Sequence, residues 1–319
     1  MSKVVIIGDN VRGGLAQAIR AGFLDLGWRA ELVPWGGWQV TSKLRLAYRR
    51  PRLAGRQLSA QSVDLANSLE PCDMVLVVKG PFFTDWTVEI IRRTTGAAVV
   101  CWNPDSPYDD AISNCGAGIP SAIQAYDLYV TWTDEVARLL ARTARRVSVV
   151  PFGWDRHLFY PERGQDSELD SRVVFIGSWT KERAVWLRGI AHHHPVVFGD
   201  RWPPIDGVDI RRPAYGGIFR AAAGTARVAL NFLRPQNRNS HNMRTFELLG
   251  CGAYQVAERS KDHELLLEAH GYPLFSNLEE LDALLADPTL PSSPGTPTWL
   301  EKHDYLSRVR TLLSALGGI

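Results

Sequence analysis

Short apolar runs alternate with stretches of helical periodicity along nearly the whole chain. The run KVVIIG (3–8) reads as a buried strand, and the next segment sets Leu15, Ile19, Phe23 and Leu26 at helical spacing. DMVLVVKG (73–80) is a second strand, followed by a helix over 84–94 with Thr84 as its N-cap. AAVVCWN (97–103) and DLYVTW (127–132) are strands, DEVARLLART (134–143) is a helix, and RVSVVPFG (146–153) ends this series. A polar, turn-rich segment, YPERGQDSELDSR (160–172), then interrupts the pattern, placing a boundary near 154–171. After it the alternation restarts: strands RVVFIGS (172–178), PVVFG (195–199), RVALNFL (227–233) and AYQVA (253–257), with helices over 181–193, 216–226 and 243–250. The terminal WLEKHDYLSRVRTLLSALGG (299–318) predicts one helix with Leu306, Val309, Leu313 and Leu316 on one face. Apolar strands alternating with amphipathic helices imply parallel sheets covered on both faces. The expectation is an α/β protein of two Rossmann-like, doubly wound domains facing a cleft lined by the carboxyl ends of their strands.

Composition narrows the class without naming an activity. The chain has 319 residues, 45% of them hydrophobic, which is enough for two cores. A net charge of +2 is too small a field to argue for nucleic acid or an acidic partner. Cys72, Cys101, Cys115 and Cys251 lack zinc-ribbon or CxxC spacing, so reduced thiols and a cytoplasmic location are expected. No stretch reaches the roughly 18 uninterrupted apolar residues of a membrane span, and the opening apolar run is too short for a signal peptide.

Chemistry therefore has to come from the loops after the strands. In the first domain the loop GDNVRGGLAQ holds Gly8, Gly13 and Gly14 without GxGxxG spacing, so it is either a substrate-facing turn or a tight structural one. Lys79 ends the second strand, and Asp105 sits between Pro104 and Pro107 in CWNPDSPYDD. That aspartate is either a base or orienting group for a hydroxyl, or a turn residue bonding its own backbone. In the second domain FIGSWTKER puts Gly177 and Ser178 at a strand end, with Lys181 and Arg183 at a helix start. The helix dipole disfavours cations there by about 0.3–1 kcal/mol each, a cost that an anion bound on the same N–H groups would offset. Arg234, Arg238 and Arg244 repeat the arrangement before the helix MRTFELLG, and Glu247 lies one turn beyond Arg244. Its carboxylate would repel phosphate, so it serves either a sugar hydroxyl pair or an internal pair with Arg244. His192, His193 and His194 are adjacent, with no partner at ligand spacing, and are expected to hold no metal. The absence of D-x-D removes the usual carboxylate clamp for a metal-bound diphosphate. Lys43, Arg45, Arg49, Arg50, Arg52 and Arg56 form a basic segment, either a solvated face or a dock for an anionic acceptor, membrane surface or nucleic acid.

Taken in order, these segments resemble a known family. VVPFGWDRHLFYP (149–161) is similar to the interdomain segment of GT-B glycosyltransferases. LNFLRPQNRNSHNMRTFELLGCGAYQV (230–256) resembles the spore maturation protein B-like (CgeB-like) group, whose hallmark is an Arg-x-Phe-Glu run ending in Cys-Gly. FIGSWTKER, VVFGDRW, VLVVKG, CWNPDSP and HDYLSR follow in family order across nearly the whole chain. The resemblance implies a GT-B fold with an acceptor-side domain over 1–155, a nucleotide-sugar domain over 156–298, and a helix over 299–319 packing back on the first. It implies a metal-independent transferase moving a sugar from a nucleoside diphosphate to an acceptor hydroxyl, with retention of anomeric configuration. No cofactor is expected beyond the donor itself, and the acceptor is open among saccharide, small molecule, protein, lipid and DNA. Gly177, Ser178 and Arg183 match the diphosphate loop, Arg244 the arginine before the motif glutamate, and Glu247 the ribose-holding glutamate. Gly13, Lys181 and Arg238 join them on the donor side, with Lys79, Arg49 and Arg50 on the acceptor side and Asp105 as candidate base. Many related retaining enzymes carry a second glutamate where this chain has Ser240. The competing expectations are a non-catalytic GT-B-like coat or assembly protein, and a nucleic-acid-modifying transferase using residues 43–56.

Overall fold

The computed structural model describes residues 1–35, 51–108, 119–162, 167–237, 239–291 and 294–317. Lys43, Arg45, Arg49, Arg50, Cys115 and Arg238 lie outside the described residues. The chain divides into two compact units, one of Met1–Pro151 with Tyr305–Ile319, the other of Phe152–Asp304.

The first unit is a parallel six-stranded sheet in the order β2-β1-β3-β4-β5-β6. Its strands are β1 (Lys3–Gly8), β2 (Arg29–Pro34), β3 (Met74–Val78), β4 (Ala98–Trp102), β5 (Leu128–Thr131) and β6 (Val147–Val149). The helices α1 (Leu15–Asp25), α2 (Pro51–Ser68), α3 (Asp85–Thr95), α4 (Ile119–Ala122) and α5 (Asp134–Leu140) connect them. Every residue of β3 is buried, as helices on both faces of a parallel sheet require. Thr84 caps α3 in a reciprocal box with Thr87, and Gly96 closes the helix at φ 69°, a left-handed conformation that costs glycine no Cβ clash. The strand order reverses between β1 and β3.

The second unit repeats this plan, with strand order β12-β11-β10-β7-β8-β9, all parallel. Its strands are β7 (Val173–Ile176), β8 (Val196–Phe198), β9 (Asp209–Arg211), β10 (Val228–Asn231), β11 (Gln255–Glu258) and β12 (Leu274–Phe275). Helices α6 (Lys181–Gly189), α7 (Gly216–Thr225), α8 (Met243–Gly250), α9 (Lys261–Leu266) and α10 (Leu278–Ala286) complete it. Here the order reverses between β7 and β10. Each unit is therefore doubly wound.

The terminal segment differs from its sequence pattern. Thr298–His303 is a 3-10 turn, and α11 (Tyr305–Leu316) starts only after Asp304. The Trp154 N–H donates to the His303 carbonyl, and Trp154 bridges Asp304 as a strand would. These bonds hold the chain extended where a continuous helix would have to run. The buried face of α11 is Tyr305, Arg308, Val309 and Leu312, so Leu306 and Leu313 are only half-buried. The helix lies against α1, where Gly22 is required: a Cβ there would run into the Tyr305 carbonyl.

Candidate functional site

Ligands of doubly wound sheets bind beyond the strand ends where the strand order reverses, because the two flanking connections leave on opposite faces and open a crevice. In the second unit that point lies between β7 and β10. The loop after β7 carries Gly177, Ser178 and Thr180 into α6, and the loop after β10 carries Phe232, Leu233 and Arg234 towards α8. Thr180 caps α6 by accepting the Arg183 N–H, and Asn242 caps α8 in a reciprocal box with Thr245.

Arg183 spans the reversal. Its side chain is buried (8% exposed); Nη1 donates to the Ser178 carbonyl at 3.0 Å and Nη2 to the Phe232 carbonyl at 3.3 Å. The guanidinium lies over the Phe175 ring, 5.3 Å from its centroid. Gly177 makes room for it, since a Cβ there would meet Phe175 Cζ at 2.8 Å and Arg183 Nη1 at 3.3 Å. The Nε atom is buried and has no hydrogen-bond partner. Burial first, then repulsion from Arg234 and Arg244, lowers the Arg183 pKa to about 10. Arg183 on α6, Arg234 in the loop after β10 and Arg244 on α8 thus share one neighbourhood. Glu258 and Glu182 act on Arg183 in the opposite sense, and Glu258 is engaged in accepting the Leu233 N–H at 2.9 Å.

Arg244, on the first turn of α8, is partly exposed and stacks over Phe219 with 4.6 Å from Cζ to the ring centroid. Its Nη1 donates to Glu247 Oε2 at 2.6 Å. Glu247 is buried, and that burial raises its pKa, with Arg244 opposing and the Asp155 charge reinforcing the shift. Of the two sequence readings of Glu247, the internal pair is thus present in this structure.

Beneath α8 runs a buried polar network. Asn231 Nδ2 donates to Thr245 Oγ1 and to Gln255 Oε1, while Asn242 Nδ2 donates to Asn231 Oδ1. Gln255 Nε2 donates to the Thr245 carbonyl. His263 lies 2.9 Å from Thr245 Oγ1 through Nε2 and 2.7 Å from the Glu258 carbonyl through Nδ1. Burial lowers its pKa to about 4, so the neutral ring donates from Nδ1 and accepts at Nε2. Sequence reasoning missed this scaffold, because Asn231 and Gln255 sit inside segments that read as ordinary strands and His263 lies in a stretch to which no element was assigned.

The other sequence-predicted residues separate into distinct places. Lys181 is exposed on α6 and is not drawn in beside Arg183. Ser178 hydrogen-bonds Asp200, the leading cause of that carboxyl's lowered pKa. In the first unit Gly13 lies in the turn after β1 at φ 77°. Lys79 Nζ and Asp105 Oδ2 form an ion pair at 2.6 Å beyond β3 and β4, and the Asp105 N–H donates to Asn103 Oδ1. Arg234 belongs with Arg183 and Arg244 on electrostatic grounds; its place in the same arginine-rich loop was the available signal. The histidines do have a partner at ligand distance, one that the sequence spacing does not reveal. His192 and His193 both converge on Asp282 Oδ1, at 2.6 and 2.7 Å through Nε2. The histidines sit on a 3-10 turn (Ala191–His193) rather than an α-helix, and their partner lies far along the chain.

Residues 180–314 match the model of a family described as glycosyl transferase-like. That stretch begins after β7 and covers α6, β10 and the whole of α8. No curated protein matches the chain. Among solved structures, a trehalose-6-phosphate synthase, OtsA, is similar at TM-score 0.69 and 12% identity, over 100% of this chain and 99% of that one. The UDP-forming α,α-trehalose-phosphate synthase of Burkholderia xenovorans in complex with glucose-6-phosphate gives 0.65 and 14%, over 99% and 100%. The UDP-GlcNAc 2-epimerase of Methanocaldococcus jannaschii gives 0.51 and 11%, over 98% and 100%. At such identities the likeness concerns the fold, which is the expected GT-B class with its two doubly wound units.

Proposed function

We propose that this chain is a glycosyltransferase of the spore maturation protein B-like group, moving a sugar from a nucleoside diphosphate to an acceptor hydroxyl without a metal at the reacting centre. The observation that carries the proposal is Arg183, a buried cation with an unpartnered Nε, held beside Arg234 and Arg244 at the strand-order reversal. Like charges gathered there repel until an anion arrives. A diphosphate supplies that anion, and each charge-assisted hydrogen bond to it contributes about 1.5–3 kcal/mol. The glycosyl transferase-like match over the same residues and the nucleotide-sugar enzymes named among the structural neighbours support the same reading.

In the reaction the bond between the anomeric carbon and the diphosphate oxygen breaks, and the acceptor oxygen forms the new glycosidic bond. Negative charge grows on the leaving diphosphate, where Arg183, Arg234, Arg244 and the first turns of α6 and α8 stabilise it. Glu247 takes the ribose hydroxyls, exchanging part of its bond with Arg244 for them. Asp105 is assigned to the acceptor, orienting its hydroxyl or accepting its proton, with Lys79 holding the carboxylate in place. Retention of configuration belongs to the proposal through the family resemblance.

The test is release of nucleoside diphosphate from a panel of uridine, guanosine, thymidine and cytidine diphosphate sugars, with and without chelator. Turnover or hydrolysis of at least one donor, unaffected by chelator, is expected. Failure of every donor to react would favour a non-catalytic GT-B-like shell, and chelator-sensitive turnover would overturn the metal-free chemistry.

A further inference from the structure

Three side chains far from the arginines meet in a way the proposed reaction does not use. His192 and His193 on the 3-10 turn after α6, and Asp282 on α10, bring one donor atom each within 4.8 Å of one another. Both imidazoles approach through Nε2 and both reach the same carboxylate oxygen, at 2.6 and 2.7 Å. The two rings are themselves in contact, with centroids 4.3 Å apart.

We infer that this triad is a binding site for one borderline divalent transition-metal ion, of the zinc class, that ties the α6–β8 connection to α10. Two imidazole nitrogens with one carboxylate oxygen suit zinc, nickel or copper, whereas magnesium and calcium prefer all-oxygen shells. A tetrahedral ion with bonds of about 2.0–2.1 Å holds its donors about 3.3–3.4 Å apart. The triad reaches that spacing by a slight opening of three side chains, two of them well exposed. His192 is 60% exposed, which leaves the fourth position to water and gives the ion a path in.

The backbone beneath the triad is already fixed. Gly189, at the end of α6, packs so closely on Leu278, at the start of α10, that a Cβ there would collide with the leucine methyl groups. The ligands are therefore carried on two elements locked together before any ion binds, as a preorganised site requires. The helix α6 begins beside Arg183 and runs back along the sheet to the turn that enters β8. Its 9 residues rise about 13 Å at 1.5 Å each. The ion would thus sit at the edge where strands begin, away from the diphosphate site, acting as a staple and taking no part in transfer.

The test is made on the chelator-treated full chain with cobalt(II) and zinc(II) as probes. One equivalent of cobalt should give the visible bands of a tetrahedral centre, and zinc should displace it. Above its Kd, zinc should also raise the melting midpoint with the logarithm of its concentration, as a ligand of the folded state alone does. His192→Ala, His193→Ala and Asp282→Asn should each weaken zinc binding by at least about tenfold. Each variant is checked for a wild-type circular dichroism spectrum; His192→Ala removes an exposed side chain and keeps the fold. An ion held instead by other histidines or by the thiols would bind all three variants as it binds the wild type. That result, or the absence of binding by the wild type, overturns the site. Nucleoside diphosphate release should be unchanged in His192→Ala, so this inference and the proposed function fail independently.

Discussion

Arg183 concentrates the account in one side chain. Burying a guanidinium costs several kcal/mol, and two carbonyl acceptors recover only part of it; on the proposed function a bound diphosphate returns the remainder. Arg183→Met keeps the packing on Phe175 and removes the charge, so the variant should melt no lower than the wild type while binding nucleoside diphosphate at least about tenfold more weakly, the loss of one charge-assisted bond. Calorimetry and thermal unfolding read the two effects separately. Glu247 makes a complementary prediction. Its folded-state pKa lies above the usual glutamate value of 4.5 because it is buried. Its contribution is therefore fully present below about 4.5 and declines as pH rises through the raised value. Melting midpoints measured from pH 4 to 7 should move in favour of Glu247→Gln, relative to wild type, as pH increases; a constant difference would show that the carboxyl is not raised. Arg183 and Lys181 looked alike in the sequence, since both are cations at a dipole-disfavoured helix start. Only packing separates them, because Arg183 follows the Thr180 cap by one turn and points inward while Lys181 faces solvent. The histidines mislead for the converse reason: Asp282 reaches them only through the docking of α10.

The position of α8 rests on the network of Asn231, Asn242, Thr245, Gln255 and His263. His263 is kept neutral by burial, with its pKa lowered from 6.5 to about 4. The unfolded chain takes up this proton below about 6.5 and the folded chain does not, so stability present above that pH is lost as pH falls towards 4, by at most on the order of 3 kcal/mol. Denaturant unfolding of His263→Gln between pH 7 and 4.5 should show a shallower decline than the wild type; parallel curves would contradict the assignment. In the first unit, Gly22→Ala forces a methyl group against the Tyr305 carbonyl and should destabilise by about 1–3 kcal/mol, the usual range for overpacking. An unchanged melting midpoint would mean that α1 and α11 are not in close contact. Most elements could be read from the sequence, and the strands it hid share one property. β2, β9 and β12 are edge strands, short or half-exposed, so none presents the continuous apolar run of a central strand such as β3. The break before α11 was hidden too, because only the pairing of Trp154 with His303 and Asp304 imposes it.

Two doubly wound units, one carrying three arginines at its strand-order reversal and the other a Lys79–Asp105 pair beyond its strands, account for the chemistry proposed. No helix among the described residues is long and apolar enough to cross a membrane. The fold class could be read from alternation alone, whereas the convergence of the three arginines needed the structure, since the strand order that places β7 beside β10 is not written in local periodicity. Asp105→Asn should abolish sugar transfer while leaving nucleoside diphosphate affinity within about twofold; wild-type turnover would remove the residue from the reaction. The central claim is most directly tested by calorimetric titration of uridine, guanosine, thymidine and cytidine diphosphates into wild type and Arg183→Met, in the presence of chelator. The account predicts that at least one of them binds the wild type and binds the variant at least about tenfold more weakly. No binding by the wild type, or equal affinity in the two proteins, would contradict it.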